Sequence, residues 1–329
     1  MNMNSDESPD ISVLIPMYNE EKNIDMLFKR LVPVLKSLNL SYEIVCVNDG
    51  SRDSTLEKLT EVSVQNPEIR IINFARNFGK EAAMTASLDF SKGKCAVPID
   101  SDLQDPPELI KEMVEKWKEG FDVVHAVRST RQGETFLKKA TAGIFYKFIN
   151  FLSEVPVPPN VGDFRLMDRR VVNAVRMLGE RNRFMKGIFA WVGFRQTSIY
   201  YDREPRYMGK TKWNYWKLWN FALDGILMFS SMPLKIWSYI GFFISTLAFA
   251  YAFFLITRTM ILGIDVPGYA STIVTGLFLG GIQLIGLGVI GEYIARIYVE
   301  SKGRPIYIVS EIYEKGSVEK NLFRSDIES

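Results

Sequence analysis

Side chains that bind soft metals or form disulfides are scarce in this chain. Its 329 residues include only two cysteines and one histidine. Cys46 and Cys95 both lie in apolar runs, which predicts buried, inert thiols in a reducing compartment and argues against a disulfide framework. A single histidine, His125, cannot assemble a zinc site, so we expect it to have a structural place on a strand.

A strong charge imbalance and the common nucleotide-binding fingerprints are also lacking. The formal net charge is +2, which gives no electrostatic reason to expect nucleic acid as a partner. Neither G-x-G-x-x-G nor G-x-x-x-x-G-K-[ST] occurs, so neither a dinucleotide-binding fold nor a P-loop ATPase is supported. The start, MNMNSDESPD, has no apolar h-region, and we expect no signal peptide and disorder over residues 1–10.

Two long uncharged runs distinguish the second half of the chain. Residues 236–256 and 270–291 contain no charged side chain, and about 20 apolar residues suffice to cross a bilayer. They predict a hairpin of transmembrane helices over 233–257 and 270–297. Gly276 and Gly280 have the small-xxx-small spacing of close helix packing in membranes. The alternative is a pair of buried helices in a large soluble core.

Basic residues are unevenly distributed around these two runs. They flank the pair on both outer sides, at Lys210, Lys212, Lys217 and Lys235 before it and at Arg296, Lys302 and Arg304 after it. The connecting turn has only Arg258 and Asp265. Because Lys and Arg collect on the cytoplasmic side, both termini and the soluble domain are expected in the cytoplasm.

Two further segments are typical of the membrane interface. Residues 135–152 place large apolar side chains at helical spacing among lysines, and residues 213–231 contain three tryptophans directly before the first span. Basic, aromatic amphipathic helices suit the lipid headgroup layer. The alternative for both segments is an ordinary helix that packs on the protein core.

The first part of the chain alternates between apolar strands and helical stretches. Strands are predicted at 11–17, 42–49, 69–75, 94–100 and 121–128, and helices at 20–37, 54–64, 80–91 and 106–119. This alternation predicts an α/β domain over 11–212, with a doubly wound, mostly parallel sheet covered on both faces. In such sheets ligands bind beyond the carboxyl ends of the strands.

An acidic segment follows the fourth predicted strand. PIDSDLQDPPE, residues 98–108, places Asp100, Asp102 and Asp105 at the exit of an apolar run. Carboxylates repel one another, so a cation is expected among them. Hard oxygen ligands suit Mg²⁺ or Mn²⁺, held jointly by one or two carboxylates and the phosphates of a substrate. A D-x-D pair is common by chance, and its position at a strand end is what makes it informative.

Several motifs in order match a known family. IPMYNEE, VNDGSRDST, NFGKEAA, DSDLQDPPE, VGDFRLMDR and the R-x-x-G-K-T-K of residues 206–212 span most of residues 11–215. With them the chain resembles glycosyltransferase family 2, and within it the polyprenyl-phosphate glycosyltransferases similar to dolichol-phosphate mannose synthase and bacterial undecaprenyl-phosphate glucosyltransferases. The resemblance implies a GT-A fold, a bacterial plasma membrane and an inverting, metal-dependent transfer from a nucleotide sugar.

The resemblance also implies roles for individual residues. The nucleotide sugar would be held by Pro16, Tyr18, Glu20, Asp49, Lys80, Asp100 and Asp102. The metal, Mg²⁺ or Mn²⁺, would be bound by Asp102, Gln104 and Asp100. Asp163 matches the acceptor-side carboxylate, and Asp163, Asp100 and Arg206 are the predicted catalytic residues. The lipid phosphate would be held by Arg128, Arg131, Arg206, Lys210 and Lys212.

Some of these expectations have alternatives. A salt bridge to Arg165 or Arg169 is the structural interpretation of Asp163. UDP-glucose is the expected donor, with GDP-mannose and a modified UDP-arabinose left open. A processive polysaccharide synthase is disfavoured because no Q-x-x-R-W is present, and a non-catalytic sugar-nucleotide-binding scaffold is disfavoured by Asp100, Asp102, Gln104 and Asp163. In the tail, 298–329, PIYIV predicts an edge strand for a neighbouring copy, and hence a homo-oligomer such as a tetramer.

Overall fold

The computed structural model describes residues 8–129, 161–181, 183, 185–202, 232–262, 268–315 and 317–320. The predicted interfacial helices, 135–152 and 213–231, lie outside the described residues. Order begins earlier than the sequence suggests, because the Asp10 carboxylate already accepts hydrogen bonds from Ser41 and pairs with Lys94 at 2.8 Å.

The described chain contains nine strands and eight helices. The strands are β1 (Ile11–Met17), β2 (Tyr42–Asn48), β3 (Ile69–Phe74), β4 (Cys95–Pro98), β5 (Val123–Arg128), β6 (Val161–Asp168), β7 (Gln196–Tyr201), β8 (Val309–Glu314) and β9 (Ser317–Lys320). The helices are α1 (Ile24–Ser37), α2 (Thr55–Gln65), α3 (Lys80–Phe90), α4 (Leu109–Lys118), α5 (Arg169–Met177), α6 (Met185–Trp191), α7 (Met232–Leu262) and α8 (Tyr269–Ser301).

All nine strands form one mixed sheet in the order β7-β5-β6-β4-β1-β2-β3-β8-β9. Four pairs, β1/β2, β1/β4, β2/β3 and β5/β7, are parallel, and the other four, β3/β8, β4/β6, β5/β6 and β8/β9, are antiparallel. The α/β class is confirmed, but the sheet is mixed and not mostly parallel. Strand β6 enters between β4 and β5 in the antiparallel sense. Strand β6 was not predicted from the sequence, because Asp163 and Arg165 interrupt its apolar pattern.

Each face of the sheet is covered by an apolar layer. Side chains of β1 and β2 alternate between the two layers, so that Ile15 and Cys46 pack on one face and Leu14 and Val47 on the other. Burial of each such aliphatic side chain contributes about 1.5–3 kcal/mol. Cys46 and Cys95 are buried free thiols, as predicted, and burial raises the pKa of each thiol, so neither is a reactive nucleophile.

His125 lies buried on β5, where a structural role was expected. Its Nε2 lies 2.9 Å from Oε1 of Gln196 on β7. Burial, together with the charge of Arg165, lowers the pKa of His125 to about 4, so the imidazole is neutral near pH 7.

The C-terminal tail differs from the expectation in what it pairs with. Strand β8 adds antiparallel to β3 of its own chain, and Tyr307 just before it stacks on Phe74 with ring centroids 5.1 Å apart. The strand pairing that was expected with a neighbouring copy is thus made within the chain, and the homo-oligomer stays a prediction. Residues 307–314 of the tail are therefore a structural part of the sheet domain.

Two long helices, α7 and α8, lie where the two transmembrane helices were predicted, and their arrangement as a membrane-spanning hairpin stays a prediction. Over the described residues, one segment, Phe278–Ser301, has the length and hydropathy to cross a bilayer, and its apolar window is not buried by the rest of the chain. The end of α8 is bonded to the sheet domain, since Oε1 of Glu300 accepts a hydrogen bond of 2.8 Å from the backbone N–H of Arg181.

Candidate active site

The predicted site residues converge on one edge of the sheet. Strands β1, β2 and β4 end there, and the antiparallel β6 begins there. The β4/β6 register pairs Ala96 with Met167. Continued toward this edge, the same register sets Asp100 opposite Asp163. Two carboxylates that lie far apart in sequence are thus brought face to face by the insertion of β6.

Lys80, the first residue of α3, joins these two carboxylates. Its Nζ lies 2.8 Å from Oδ1 of Asp100 and 2.7 Å from Oδ2 of Asp163. The three side chains are 44%, 28% and 20% exposed, so a ligand has access to them from solvent. Burial disfavours the ammonium form, but the two carboxylates outweigh it and raise the pKa of Lys80. Lys80 therefore carries its charge throughout the physiological pH range.

Asp49, at the end of β2, organises the loop that leads into α3. Its carboxylate accepts backbone hydrogen bonds of 2.6 Å from Phe78 and 3.0 Å from Gly79, and another of 2.8 Å from Nδ2 of Asn77. Burial raises the pKa of Asp49, partly offset by these donors and by the charge of Arg76. The structure places Asp49 as an anchor for the loop before Lys80, and its contact with a nucleotide stays a prediction.

Gly50 allows this loop to approach β2, and its substitution gives a first prediction. Gly50 has φ +60°, and an added Cβ would lie 2.4 Å from the carbonyl carbon of Arg76. We expect Gly50→Ala to lower the free energy of unfolding by roughly 2–4 kcal/mol, through the left-handed backbone and overpacking. Thermal unfolding of the detergent-solubilised protein measures this. Gly179→Ala is the control, since nothing lies within 4 Å of its added Cβ, and equal losses in both variants would contradict the prediction.

The loops after β1 and β2 are bonded to each other. The backbone N–H of Asn19 donates to Oγ of Ser51 at 2.9 Å, and that of Glu20 donates to Oγ1 of Thr55 at 2.9 Å. The Glu20 carboxylate accepts a hydrogen bond of 2.6 Å from Nδ2 of Asn23. Three predicted nucleotide-binding residues, Pro16, Tyr18 and Glu20, therefore lie on a braced platform at the strand ends, all of them half-buried.

The acidic segment after β4 divides into two parts with different surroundings. Oδ1 of Asp102 accepts from the backbone N–H of Gln104 at 3.2 Å, and Leu103 between them is buried with φ +58°. Asp105 points into the protein, where it accepts the hydroxyl hydrogen of Tyr201 and lies 3.8 Å from Nη2 of Arg128. The sequence grouped Asp105 with the cation-binding carboxylates. In the structure its partners are instead Tyr201 and Arg128.

Tyr201, the last residue of β7, is a site-supporting residue that the sequence did not reveal. Its partner Asp105 lies 96 residues earlier in the chain, so no local pattern signals the contact. Burial, and then the charge of Asp105, raise the pKa of the Tyr201 phenol, so it stays protonated and donates to the carboxylate. It thereby links the end of β7 to the acidic segment.

Removal of the Tyr201 hydroxyl gives a second prediction. Tyr201→Phe leaves a buried carboxylate without this donor, and we expect a loss of about 1–3 kcal/mol in the free energy of unfolding. The neighbouring Tyr200 is 71% exposed on the same strand, so Tyr200→Phe should change stability by less than about 0.5 kcal/mol. Chemical unfolding of both variants is the measurement, and a Tyr201→Phe protein as stable as the control would exclude this role.

Among the predicted phosphate-binding residues, the structure describes Arg128. Its Nε lies 3.4 Å from the hydroxyl oxygen of Tyr201. Burial opposes its charge, but this hydrogen bond and the charge of Asp105 outweigh burial and raise the pKa of Arg128. The other four predicted members, Arg131, Arg206, Lys210 and Lys212, lie outside the described residues.

The structural interpretation of Asp163 takes a different form from the one expected. Its carboxylate pairs with Lys80, whereas the guanidinium of Arg165 bonds to backbone carbonyls of residues 162 and 163. Arg169 donates to the carbonyl oxygen of Gly93 at the opposite end of β4. Asp163 is thus turned toward the site edge by a partner on another element.

A divalent metal is compatible with the chemistry of the acidic segment. Within the described ranges, no three or more His, Cys, Asp or Glu side chains are arranged as a protein-only metal site. Mg²⁺ commonly needs only one or two carboxylates and completes its shell with substrate phosphates and water. Asp100, Asp102 and Gln104 offer carboxylate and amide oxygens, the hard ligands that such a shared site requires.

Family models match two separate parts of this chain. Residues 12–176, which include the strand ends described above, match "Glycosyl transferase family 2". Residues 232–297, which contain most of α7 and α8, match "GtrB C-terminal hairpin". The hairpin match and the exposed apolar segment of α8 indicate association with a membrane.

Several curated relatives are similar to this chain over nearly its whole length. An uncharacterised glycosyltransferase of Synechocystis is 60% identical, covering 92% of this chain and 96% of the relative. The bactoprenol glucosyl transferase of Shigella phage SfV is 47% identical, covering 93% and 99%, and the prophage bactoprenol glucosyl transferase homologue of Escherichia coli is 47% identical, covering 92% and 99%. The chain therefore belongs to glycosyltransferase family 2 and is a glycosyltransferase.

Proposed function

We propose that this glycosyltransferase moves glucose from UDP-glucose to a polyprenyl phosphate at the cytoplasmic face of a bacterial plasma membrane. The observation that carries the proposal is its 47% identity to bactoprenol glucosyl transferases over more than nine-tenths of the chain. A site edge where Lys80 bridges two carboxylates supports it, because a sugar donor and an anionic acceptor both need fixed charges.

The proposed reaction is a displacement at the anomeric carbon. An oxygen of the lipid phosphate forms the new bond to C1 of glucose, and the electron pair of the old C1–oxygen bond leaves with UDP. Attack from the face opposite UDP inverts the configuration at C1. Because a phosphate oxygen is already ionised near pH 7, a strong general base is less necessary than in transfer to a hydroxyl.

Charge neutralisation is then the main task of the protein. Asp102, with Gln104 and Asp100, would hold Mg²⁺ or Mn²⁺ together with the donor diphosphate. Such an ion neutralises charge that develops on the leaving group. Pro16, Tyr18, Glu20 and Asp49 would contact the nucleoside from the braced strand ends.

Basic side chains have the complementary task on the acceptor side. Two anions must approach each other, and guanidinium groups bind phosphate through paired hydrogen bonds. We assign the lipid phosphate to Arg128 together with Arg131, Arg206, Lys210 and Lys212. Of these, Arg206 would also contact the reacting groups. Asp163 would orient the acceptor side through its ion pair with Lys80.

The membrane segments explain how the acceptor is reached. A polyprenyl chain stays in the bilayer, so its phosphate lies at the headgroup plane and the catalytic edge must come to it. We propose that α7 and α8 span the bilayer as a hairpin and that 135–152 and 213–231 lie at the interface. Lys and Arg at the outer ends of the hairpin orient the catalytic domain and both termini toward the cytoplasm.

A donor screen tests this function. The detergent-purified full chain is given undecaprenyl phosphate and one labelled donor at a time, namely UDP-glucose, GDP-mannose or a UDP-aminoarabinose, with Mn²⁺ or with EDTA. We expect labelled lipid from UDP-glucose with Mn²⁺ and none with unphosphorylated undecaprenol. Transfer only from another sugar would correct the donor, and no lipid-linked product from any donor would refute the function.

A further inference from the structure

An arginine lies in the apolar layer beneath the site edge. Arg165 on β6 is only 3% exposed, and its guanidinium lies 4.2 Å from the ring centroid of Phe189 on α6. On β6 it shares a face with Asp163 and with Met167, a member of the apolar cluster on that side of the sheet. Placing a charge in such surroundings is costly unless it is paired or fully hydrogen-bonded. Among the described residues, no carboxylate forms an ion pair with Arg165.

The guanidinium instead binds the backbone of its own strand. Nη2 of Arg165 donates to the carbonyl oxygen of Gly162 at 2.7 Å, and Nε donates to that of Asp163 at 3.4 Å. The charged side chain is thus turned back along β6, toward the residues that approach the site edge. This arrangement holds the main chain on either side of the Asp163 Cα.

A break in strand pairing occurs at the same place. His125 pairs with Arg165, and the next paired residues are Val127 and Val161, so one residue of β5 faces three residues of β6. Extra residues of this kind leave ladder groups unpaired and re-aim a side chain. The carbonyls of Gly162 and Asp163 lie in this bulge, and Arg165 supplies donors to them.

The surroundings keep this charge in place at neutral pH. Burial lowers the pKa of Arg165 to about 10, opposed by the charge of Asp163, so the guanidinium remains protonated. His125, opposite it on β5, is neutral, so it adds no second positive charge. The half-exposed Lys80 pairs with the Asp163 carboxylate, and the buried Arg165 donates to the Asp163 backbone carbonyl.

We propose that Arg165 is a positioning residue for the transfer reaction, which clamps the β6 bulge so that the Asp163 carboxylate reaches Lys80 opposite Asp100. This inference rests on the proposed function, because it assigns Asp163 to the acceptor side. Arg165 itself contacts neither donor nor acceptor. Its loss should therefore slow the reaction and leave donor binding intact.

The test compares Arg165→Met and Arg165→Lys in the purified full chain. We expect kcat to fall about 100-fold in Arg165→Met and about tenfold in Arg165→Lys, with KM for the sugar donor within about threefold of wild type. Arg169→Met is the matched control, because Arg169 also binds a carbonyl but at the far end of β4. It should lose stability and keep kcat within about threefold.

A double substitution separates positioning from simple loss of stability. If Arg165 acts through Asp163, Arg165→Lys in an Asp163→Asn background should reduce kcat less than about twofold further. If Arg165→Lys lowers kcat by the same factor in the wild-type and Asp163→Asn backgrounds, the inference is overturned. A wild-type kcat in Arg165→Lys would also overturn it. If Arg165→Met does not fold, the kcat values of Arg165→Lys and of the double variant test the inference on their own. Wild-type protein inactive with every donor would instead refute the proposed function.

Discussion

Lys80→Met is expected to lower kcat by about 10²–10³-fold, a cost typical of removing one fixed group that stabilises developing charge. The methionine side chain is similar in length and lacks the ammonium that lies 2.8 Å from Asp100 and 2.7 Å from Asp163. Without that charge, the two carboxylates repel each other, and they also repel the two phosphorylated substrates that we propose. Steady-state kinetics with UDP-glucose and undecaprenyl phosphate measure the effect.

Lys94 offers a matched control for Lys80. It also forms an ion pair of 2.8 Å with an aspartate, Asp10, but it lies just before β4, at the end of the sheet away from the site. Its side chain is 58% exposed, and such surface pairs contribute roughly 0–1 kcal/mol. Lys94→Met should therefore keep kcat within about twofold. If Lys80→Met and Lys94→Met behave alike, Lys80 has no special part in the reaction.

Asp163→Asn is expected to have the second large effect, a fall in kcat of about 10²-fold or more with little change in KM for UDP-glucose. Asparagine preserves shape and removes the negative charge that holds Lys80. Lys80 would then pair with Asp100 alone, and the acceptor side of the site would lose its fixed partner. Activity and donor affinity, measured on the same preparation, separate this effect from a loss of folded protein.

Asp168 provides the corresponding control on the same strand. It accepts from the backbone N–H of Arg170 as the N-cap of α5, and asparagine serves nearly as well at that position. Asp168→Asn should leave kcat within about twofold of wild type. Unchanged kcat in Asp163→Asn, or a fall caused by weaker UDP-glucose binding, would contradict the assignment of Asp163 to the acceptor side.

Much of the fold was predictable from local patterns. Strands β1 to β5 and helices α1 to α4 lie within a few residues of their predicted places, because apolar periodicity reports burial directly. Five of the other elements, β6, β7, β9, α5 and α6, were not predicted from the sequence. Strand β6 carries Asp163 and Arg165 among its apolar side chains, which hides its alternation. A strand was predicted at 305–309, but β8 begins at Val309 and pairs with β3 of the same chain.

The site was predictable as a set of residues and less so as an arrangement. Motif resemblance selected Lys80, Asp100 and Asp163, and the contact of Lys80 with a nucleotide stays a prediction. The structural alternative for Asp163 named Arg165 or Arg169 as its partner. The structure pairs Asp163 with Lys80, 83 residues away. It also shows that Asp105 accepts a hydrogen bond from Tyr201, whereas the sequence grouped Asp105 with the cation-binding carboxylates. Such contacts leave no periodic trace along the chain.

The sequence by itself determined which segments are buried, which thiols are inert, where the acidic segment leaves its strand and where the two long uncharged runs lie. These properties depend on neighbouring residues and on the cost of burying polar groups. Only the tertiary structure decided that β6 runs antiparallel beside β4, that Lys80 bridges two carboxylates and that the tail completes its own sheet. Strand order and register depend on how distant segments pack together, and hydrophobic periodicity within one segment carries no information about its partner.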